Sequence, residues 1–178
     1  CGIAPGLSNM IAGFHTINMK VEKFECFIGG LPVERRWPWQ YKAIYHPHDV
    51  IKEFLTPARF IENGKQIAKE AFTDPEFIHI DGIGTLEAWN SDGLRTMLKT
   101  LKIPNMIEKT LRYPKTVEYL KVLYESGFFS EKEVDINGTK ISPINFTTKI
   151  LSPVWELKKN DEDITIMRAK IFGYEADE

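Results

Sequence analysis

The chain has 178 residues, 43% hydrophobic and 27% charged, with a formal net charge of −2. That length gives one domain with room for a proper core. The weakly acidic balance excludes the clustered basic surface that nucleic acid needs, since Arg35-Arg36 and Lys158-Lys159 are too short to form a patch. No run of about 18 or more apolar residues occurs, so no membrane helix is expected.

In chain order, Cys1-Gly2-Ile3-Ala4-Pro5-Gly6-Leu7-Ser8-Asn9 reads as a turn into a helix. Leu7, Met10, Ile11, Phe14 and Ile17 recur at helical spacing and make one apolar stripe. Pro5 suits a first helical position, and Gly6 suits close approach of another molecule. Free amides at such a helix start suit a carboxylate or phosphate. This is an odd opening for a whole gene product, and the chain is expected to be an interior piece of a longer protein.

Val21–Ile28 predicts a buried strand ending at Gly29-Gly30, followed by a long loop to Gln40. A short strand is expected over Tyr41–Tyr45, then a helix near Pro47 with Val50, Ile51, Phe54 and Leu55 inward. Asn63-Gly64 and Asn137-Gly138 each predict a two-residue hairpin, because both residues tolerate the left-handed backbone such turns demand. Further strands are expected at Phe77–Asp81, Gly84–Trp89, Lys109–Tyr113 and Ile164–Phe172. Three helices complete the reading. One runs from an Asp92 N-cap to Leu101, one from Pro114 to Gly127, and one from Ser142-Pro143 until Pro153 interrupts it. The irregular alternation implies α+β, with a mixed, largely antiparallel sheet covered by helices on one face.

Several candidate sites carry more ordinary explanations. Gly82-Ile83-Gly84 lacks the third glycine of a dinucleotide fingerprint and reads as a bulge or close approach within a strand. His46 and His48 read as surface imidazoles at a helix start rather than metal ligands, and no metal site is expected. Two cysteines make neither a disulfide framework nor a zinc site. A reduced, cytoplasmic protein is therefore expected, with Cys26 a packed core thiol. Cys1, at a helix start, leaves open a cysteine-dependent hydrolase.

Arg112 is the sharper candidate. Strand alternation puts it on one face with Thr110, where its guanidinium can hold a carboxylate by two parallel bonds. Asn90 and Ser91, in a polar turn before Asp92, are free to meet a ligand. Gly29-Gly30-Leu31-Pro32 ends a strand and lets a ligand lie on backbone. Arg95, three residues after Asp92, reads as a helix-surface ion pair.

Together Cys1–Asn9, Gly29-Gly30-Leu31-Pro32, Asn90-Ser91-Asp92-Gly93-Leu94-Arg95-Thr96, Thr110-Leu111-Arg112-Tyr113-Pro114 and Asp163–Arg168 resemble the saccharopine dehydrogenase family, including its lysine 6-dehydrogenase branch. The resemblance implies a fold similar to the C-terminal domain of glyceraldehyde-3-phosphate dehydrogenase. Residues 1–178 would be one substrate-binding and dimerisation domain of a two-domain oxidoreductase. Its missing Rossmann domain would bind NAD or NADP, and this piece alone would be inactive. The implied chemistry is oxidation at the C–N bond of an amino acid such as lysine or saccharopine, in a homodimer. By the same resemblance Arg112 and Thr110 bind a substrate carboxylate, Gly30 and Leu31 line the cleft with Asn90 and Ser91, and Pro5-Gly6 lies beside the nicotinamide. Ser91 stands where fungal saccharopine reductases place an arginine, which weighs against saccharopine itself. A non-catalytic ligand-binding or dimerisation module is the alternative. With no phosphate cradle in its sequence, the 178-residue chain should show no NAD(P) binding by calorimetry; tight binding would contradict this reading.

Overall fold

The computed structural model describes residues 2–43 and 46–175. It contains α1 (Leu7–Asn18), β1 (Met19–Pro32), α2 (Pro47–Leu55), β2 (Ala58–Glu62), β3 (Lys65–Lys69), β4 (Glu76–Ile80) and β5 (Gly84–Asn90). These are followed by α3 (Met97–Thr100), β6 (Asn105–Arg112), α4 (Thr116–Glu125), β7 (Val134–Ile136), β8 (Thr139–Ile141), α5 (Pro143–Trp155) and β9 (Asp163–Glu175). Seven strands form one sheet in the order β3-β2-β6-β1-β9, with β5 joining β6 and β4 joining β5. Only the β1–β6 pairing is parallel. β6 pairs with β2 at Met106 and with β5 from Lys109 to Arg112, so two hairpins share one edge of a single strand.

Strand periodicity sorts the core. Phe24, Cys26 and Met106 pack with Ala12 of α1 and Met97 of α3, while Trp89 packs with residues of α2, α4 and α5, among them Val50, Ile51, Leu120 and Trp155. The alternate residues Phe27, Leu31, Leu86, Ala88 and Leu111 form a third cluster without any helical residue. The helices thus cover one face, and the sheet curls to bury the other. Arg168 Nη2 of β9 donates to the His79 carbonyl of β4 at 3.2 Å across that curl. A bulge between Val21 and Lys23 shifts the alternation, so Val21 joins the same cluster as Phe24.

Both Asn-Gly hairpins form as predicted, with Asn63, Gly64, Asn137 and Gly138 all at positive φ. The strand expected over residues 41–45 reduces to a bridge between Ala43 and Glu156, and residues 44 and 45 lie outside the described ones. Other expectations are corrected. Gly82 and Gly84 bracket the β4–β5 turn rather than a bulge. Pro153 is accommodated inside α5, which continues to Trp155. The helix expected from Asp92 shrinks to Met97–Thr100, because the Asp92 carboxylate is taken by Arg59. Nε and Nη2 of Arg59 donate to it at 2.8 and 2.6 Å. Arg95 lies 3.8 Å from Asp92, in a loop rather than on a helix.

The largest correction concerns α1. It buries Ser8 and Ala12, while Leu7, Met10, Phe14 and Ile17 are exposed, Phe14 by 62% and Ile17 by 82%. Small residues let this helix lie flat on β1 and β9, and the apolar stripe faces outward. The helix starts at Leu7, not Pro5, and its first amides are occupied. Leu7 N–H donates to Gly2 O and Ser8 N–H to Ile3 O, each at 2.9 Å, and Gly6 N–H donates to Asn9 Oδ1 at 3.0 Å.

Every other long helix start is also served from within. His46 Nδ1 accepts from His48 N–H at α2, Glu87 Oε2 from Val117 N–H at α4, and Ser130 O from Ile144 N–H at α5.

The molecule that approaches Gly6 so closely is its own chain. Gly6 has φ +146°, and a Cβ there would meet Gly2 O at 2.1 Å. Gly6→Ala should therefore lower stability by about 2 kcal/mol or more. Gly13→Ala, with nothing within 4 Å, should raise it by about 0.5–1 kcal/mol. Urea midpoints of the two variants check this contrast.

Candidate functional site

β6 lies between β1 on one side and the two hairpins on the other, so its side chains can leave only through the faces of the sheet. Glu108, Thr110 and Arg112 alternate onto the helix-covered face. Cys26 and Ile28 of β1 stand opposite Glu108 and Thr110; Trp89 and Glu87 of β5 stand opposite Thr110 and Arg112. Where β5 ends, Ser91 N–H donates to Glu108 O at 3.1 Å and brings Ser91 to the same place. A Cβ on Gly30 would meet nothing within 4 Å, which leaves space above the end of β1.

The result is a cleft of about 120 Å³ lined by Ala4, Ile28, Gly29, Gly30, Tyr41, Lys42, Glu53, Ser91, Glu108, Thr110 and Arg112. Arg112 is only 9% exposed. Its guanidinium carbon lies 5.1 Å from the Tyr41 ring centre and 5.5 Å from that of Phe54. One nitrogen, Nη1, donates to Leu111 O at 2.7 Å, while Nε has no partner among the described residues. Burial pushes the Tyr41 hydroxyl up, and Arg112 pulls the other way. Lys42 is committed to the end of α5, donating to Val154 O and Glu156 O.

Glu108 is the unexpected member. It is buried, and its Oε2 has no hydrogen-bond partner among the described residues; Ser91 Oγ shares that condition. The carboxyl lies against Gly93, where a Cβ would meet it at 1.3 Å, so glycine there makes its room. Burial, then the Glu53 carboxylate, raises its pKa to about 8. Burial and the neighbouring Glu108 likewise push the Cys26 thiol up to about 12, which makes it the inert core thiol expected.

Of the residues singled out from sequence, Gly30, Ser91, Thr110 and Arg112 meet in this cleft. Asn90 and Leu31 do not. Asn90 Nδ2 donates to Asp74 Oδ2 at 2.9 Å and Thr73 Oγ1 at 3.3 Å, and Leu31 is fully enclosed in the third core cluster. Pro5 and Gly6 stand beside Ala4, which reaches the lining, but the amides expected to be free are filled. Cys1 lies outside the described residues. Glu108, Glu53 and Tyr41 were missed, although extending the Thr110/Arg112 alternation back by two residues reaches Glu108.

A larger groove, about 980 Å³, runs between His46, His48 and the Asn145–Ser152 side of α5. No buried charged group lines it, so the small cleft is the chemically equipped one. Among the described residues no cluster of three His, Cys, Asp or Glu is placed to hold a metal.

The architecture is a mixed α+β domain with a polar cleft over its central strand. The model of the saccharopine dehydrogenase C-terminal domain matches residues 2–178, and the chain belongs to that family. It is similar to the saccharopine dehydrogenase [NADP(+), L-glutamate-forming] of Pyricularia oryzae, 27% identical over 146 residues, covering 74% of this chain and 32% of the relative. Its fold is similar to that of the saccharopine dehydrogenase (L-Glu forming) of Saccharomyces cerevisiae, solved in its apo form. That match has TM-score 0.70 and 14% identity, and covers 93% of this chain and 52% of the other. The chain thus spans about a third of the first protein's length and about half of the second's.

The Glu108 carboxyl sets a pH dependence. Its folded pKa stands above the unfolded value near 4.5, so the unfolded chain binds fewer protons between those limits. Stability should fall as pH rises from about 5 to about 8, by up to about 1.4 kcal/mol per pH unit from this group, and level off above. Glu108→Gln should flatten that stretch, as chemical denaturation across the pH range would show.

Proposed function

We propose that this chain is the substrate-binding domain of an NAD(P)-dependent, saccharopine dehydrogenase-like oxidoreductase that acts at the C–N bond of an amino acid such as lysine or saccharopine. The observation that carries the reading is the buried Arg112 guanidinium. It faces the cleft between two aromatic rings, keeps Nε unpartnered among the described residues, and has Thr110 and Ser91 beside it. A buried cation of this kind needs an anion, and a planar fork suits a carboxylate.

The two similar fungal proteins, both named as saccharopine dehydrogenases, support that assignment. The domain's own part is recognition: Arg112 orients the carboxylate, Thr110 and Ser91 offer hydroxyls to it, and Tyr41 shields the pair from water. The described residues do not fit the dinucleotide itself, since the starts of the long helices are filled by Asn9, His46, Glu87 and backbone carbonyls. NAD or NADP would therefore be held by a Rossmann domain elsewhere in the full-length protein. We further read the domain as the dimerisation element of a cytoplasmic homodimer.

In the full-length enzyme, Arg112→Ala should raise KM for the amino-acid substrate by about tenfold or more, the worth of a charge-assisted bond. KM for the dinucleotide should stay within about twofold, below the worth of one hydrogen bond. Steady-state kinetics with each ligand varied in turn checks the split; equal effects on both would assign Arg112 elsewhere.

A further inference from the structure

The cleft holds two opposite poles. At one, the Arg112 guanidinium is anchored to Leu111 O and stacked on Tyr41 and Phe54. At the other, the Glu108 carboxyl lies in the space left by Gly93. Four residues along one strand separate their Cα atoms by about 13 Å. Both groups are buried, line the cleft, and carry an atom without a partner among the described residues, Arg112 Nε and Glu108 Oε2. An isolated buried carboxyl without a partner is costly and calls for a cation or a donor.

We propose that Glu108 is the amine-recognising residue of this cleft: it pairs with an ammonium group that the ligand carries several bonds away from the carboxylate held by Arg112. The proposal rests on the amino-acid reading above and narrows it. The offset of the two residues along β6 favours a remote amine over the α-ammonium, which lies next to its own carboxylate.

The charged surroundings favour this assignment. Glu53 of α2 and Asp92 of the loop before α3 face Glu108 with negative charge, Arg95 opposes them, and Cys26 of β1 stays a neutral thiol. Burial, with the Glu53 carboxylate beside it, keeps the Glu108 carboxyl protonated near neutral pH. An arriving ammonium favours the ionised form, so the proton leaves Glu108 for solvent while the ligand nitrogen keeps its own. Binding then releases about one proton per site.

The test is calorimetric titration of the full-length protein near pH 7 with L-lysine and with L-norleucine, which lacks only the remote amine. Each is run in two buffers of different ionisation enthalpy. Lysine should release about one proton and norleucine essentially none. Glu108→Gln should abolish that release and weaken lysine by about tenfold or more while leaving norleucine unchanged. Gly93→Ala, which keeps the carboxyl but takes its space, should act in the same direction. The retained norleucine affinity shows that each variant is folded. Lysine binding that needs Arg112 but neither releases a proton nor responds to Glu108→Gln would overturn the proposal and leave the carboxylate reading intact. If Arg112→Gln weakened neither ligand, that reading would fall, and the proposal with it.

Discussion

Everything about the cleft follows from the position of β6. A strand paired on both edges has only two directions for its side chains, and the curl of the sheet fills one of them with Leu111 and its neighbours. The other direction lies under the helices, so positions 108 and 112 are enclosed and position 110 is half-buried. An ordinary core would place aliphatic residues there. This chain places a carboxyl, a hydroxyl and a guanidinium, and the fold accepts the desolvation cost of the buried Glu108 and Arg112, with Thr110 half-buried between them. Polar groups at such a location suit a ligand that completes their bonding rather than the stability of the empty domain.

The surrounding elements serve that enclosure. Tyr41, from the segment after β1, and Phe54 of α2 wall off Arg112. Gly30 withholds a side chain at the cleft, and Gly93 leaves the room that the Glu108 carboxyl fills. The Arg59–Asp92 pair holds the turn after β5 in place at 2.6 Å, and with it the glycine on which Glu108 rests. Burial works against the Asp92 charge, but the bonds from Arg59 outweigh it and keep the carboxyl below its ordinary range.

Much of the fold was legible because its signals are local. Asn-Gly turns, two-residue alternation and the glycine after α4 act within a few residues, so the hairpin strands fell close to their observed ends, while β1 runs on through Gly29-Gly30 to Pro32 and β6 begins earlier, at Asn105. Where a distant partner decides, sequence misled. Asp92 looks like an N-cap until Arg59, 33 residues earlier, claims it. The α1 stripe is legible but its direction is not, because small residues on the opposite side bring the helix flat against the sheet. The same division holds for the cleft. Thr110 and Arg112 were visible as one strand face, and Ser91 as part of a polar turn. Glu108 fell just outside the assumed start of β6, and Asn90 was claimed by Thr73 and Asp74 across the β4 hairpin. Glu53 and Tyr41 reach the cleft from separate elements, a convergence that no local pattern announces.

Each long helix start in this domain spends amides on its own chain: α1 on carbonyls of residues 2 and 3, α2 on His46, α4 on Glu87 and α5 on Ser130. Helix dipoles are a generic attraction for anions, indifferent to anything but charge. With those amides engaged, the polar atoms left without a partner at the cleft among the described residues belong to side chains: Arg112 Nε, Glu108 Oε2 and Ser91 Oγ. Arg112 and Ser91 both lie outside the helices. The polar atoms that line the cleft and those that start the helices are therefore different ones.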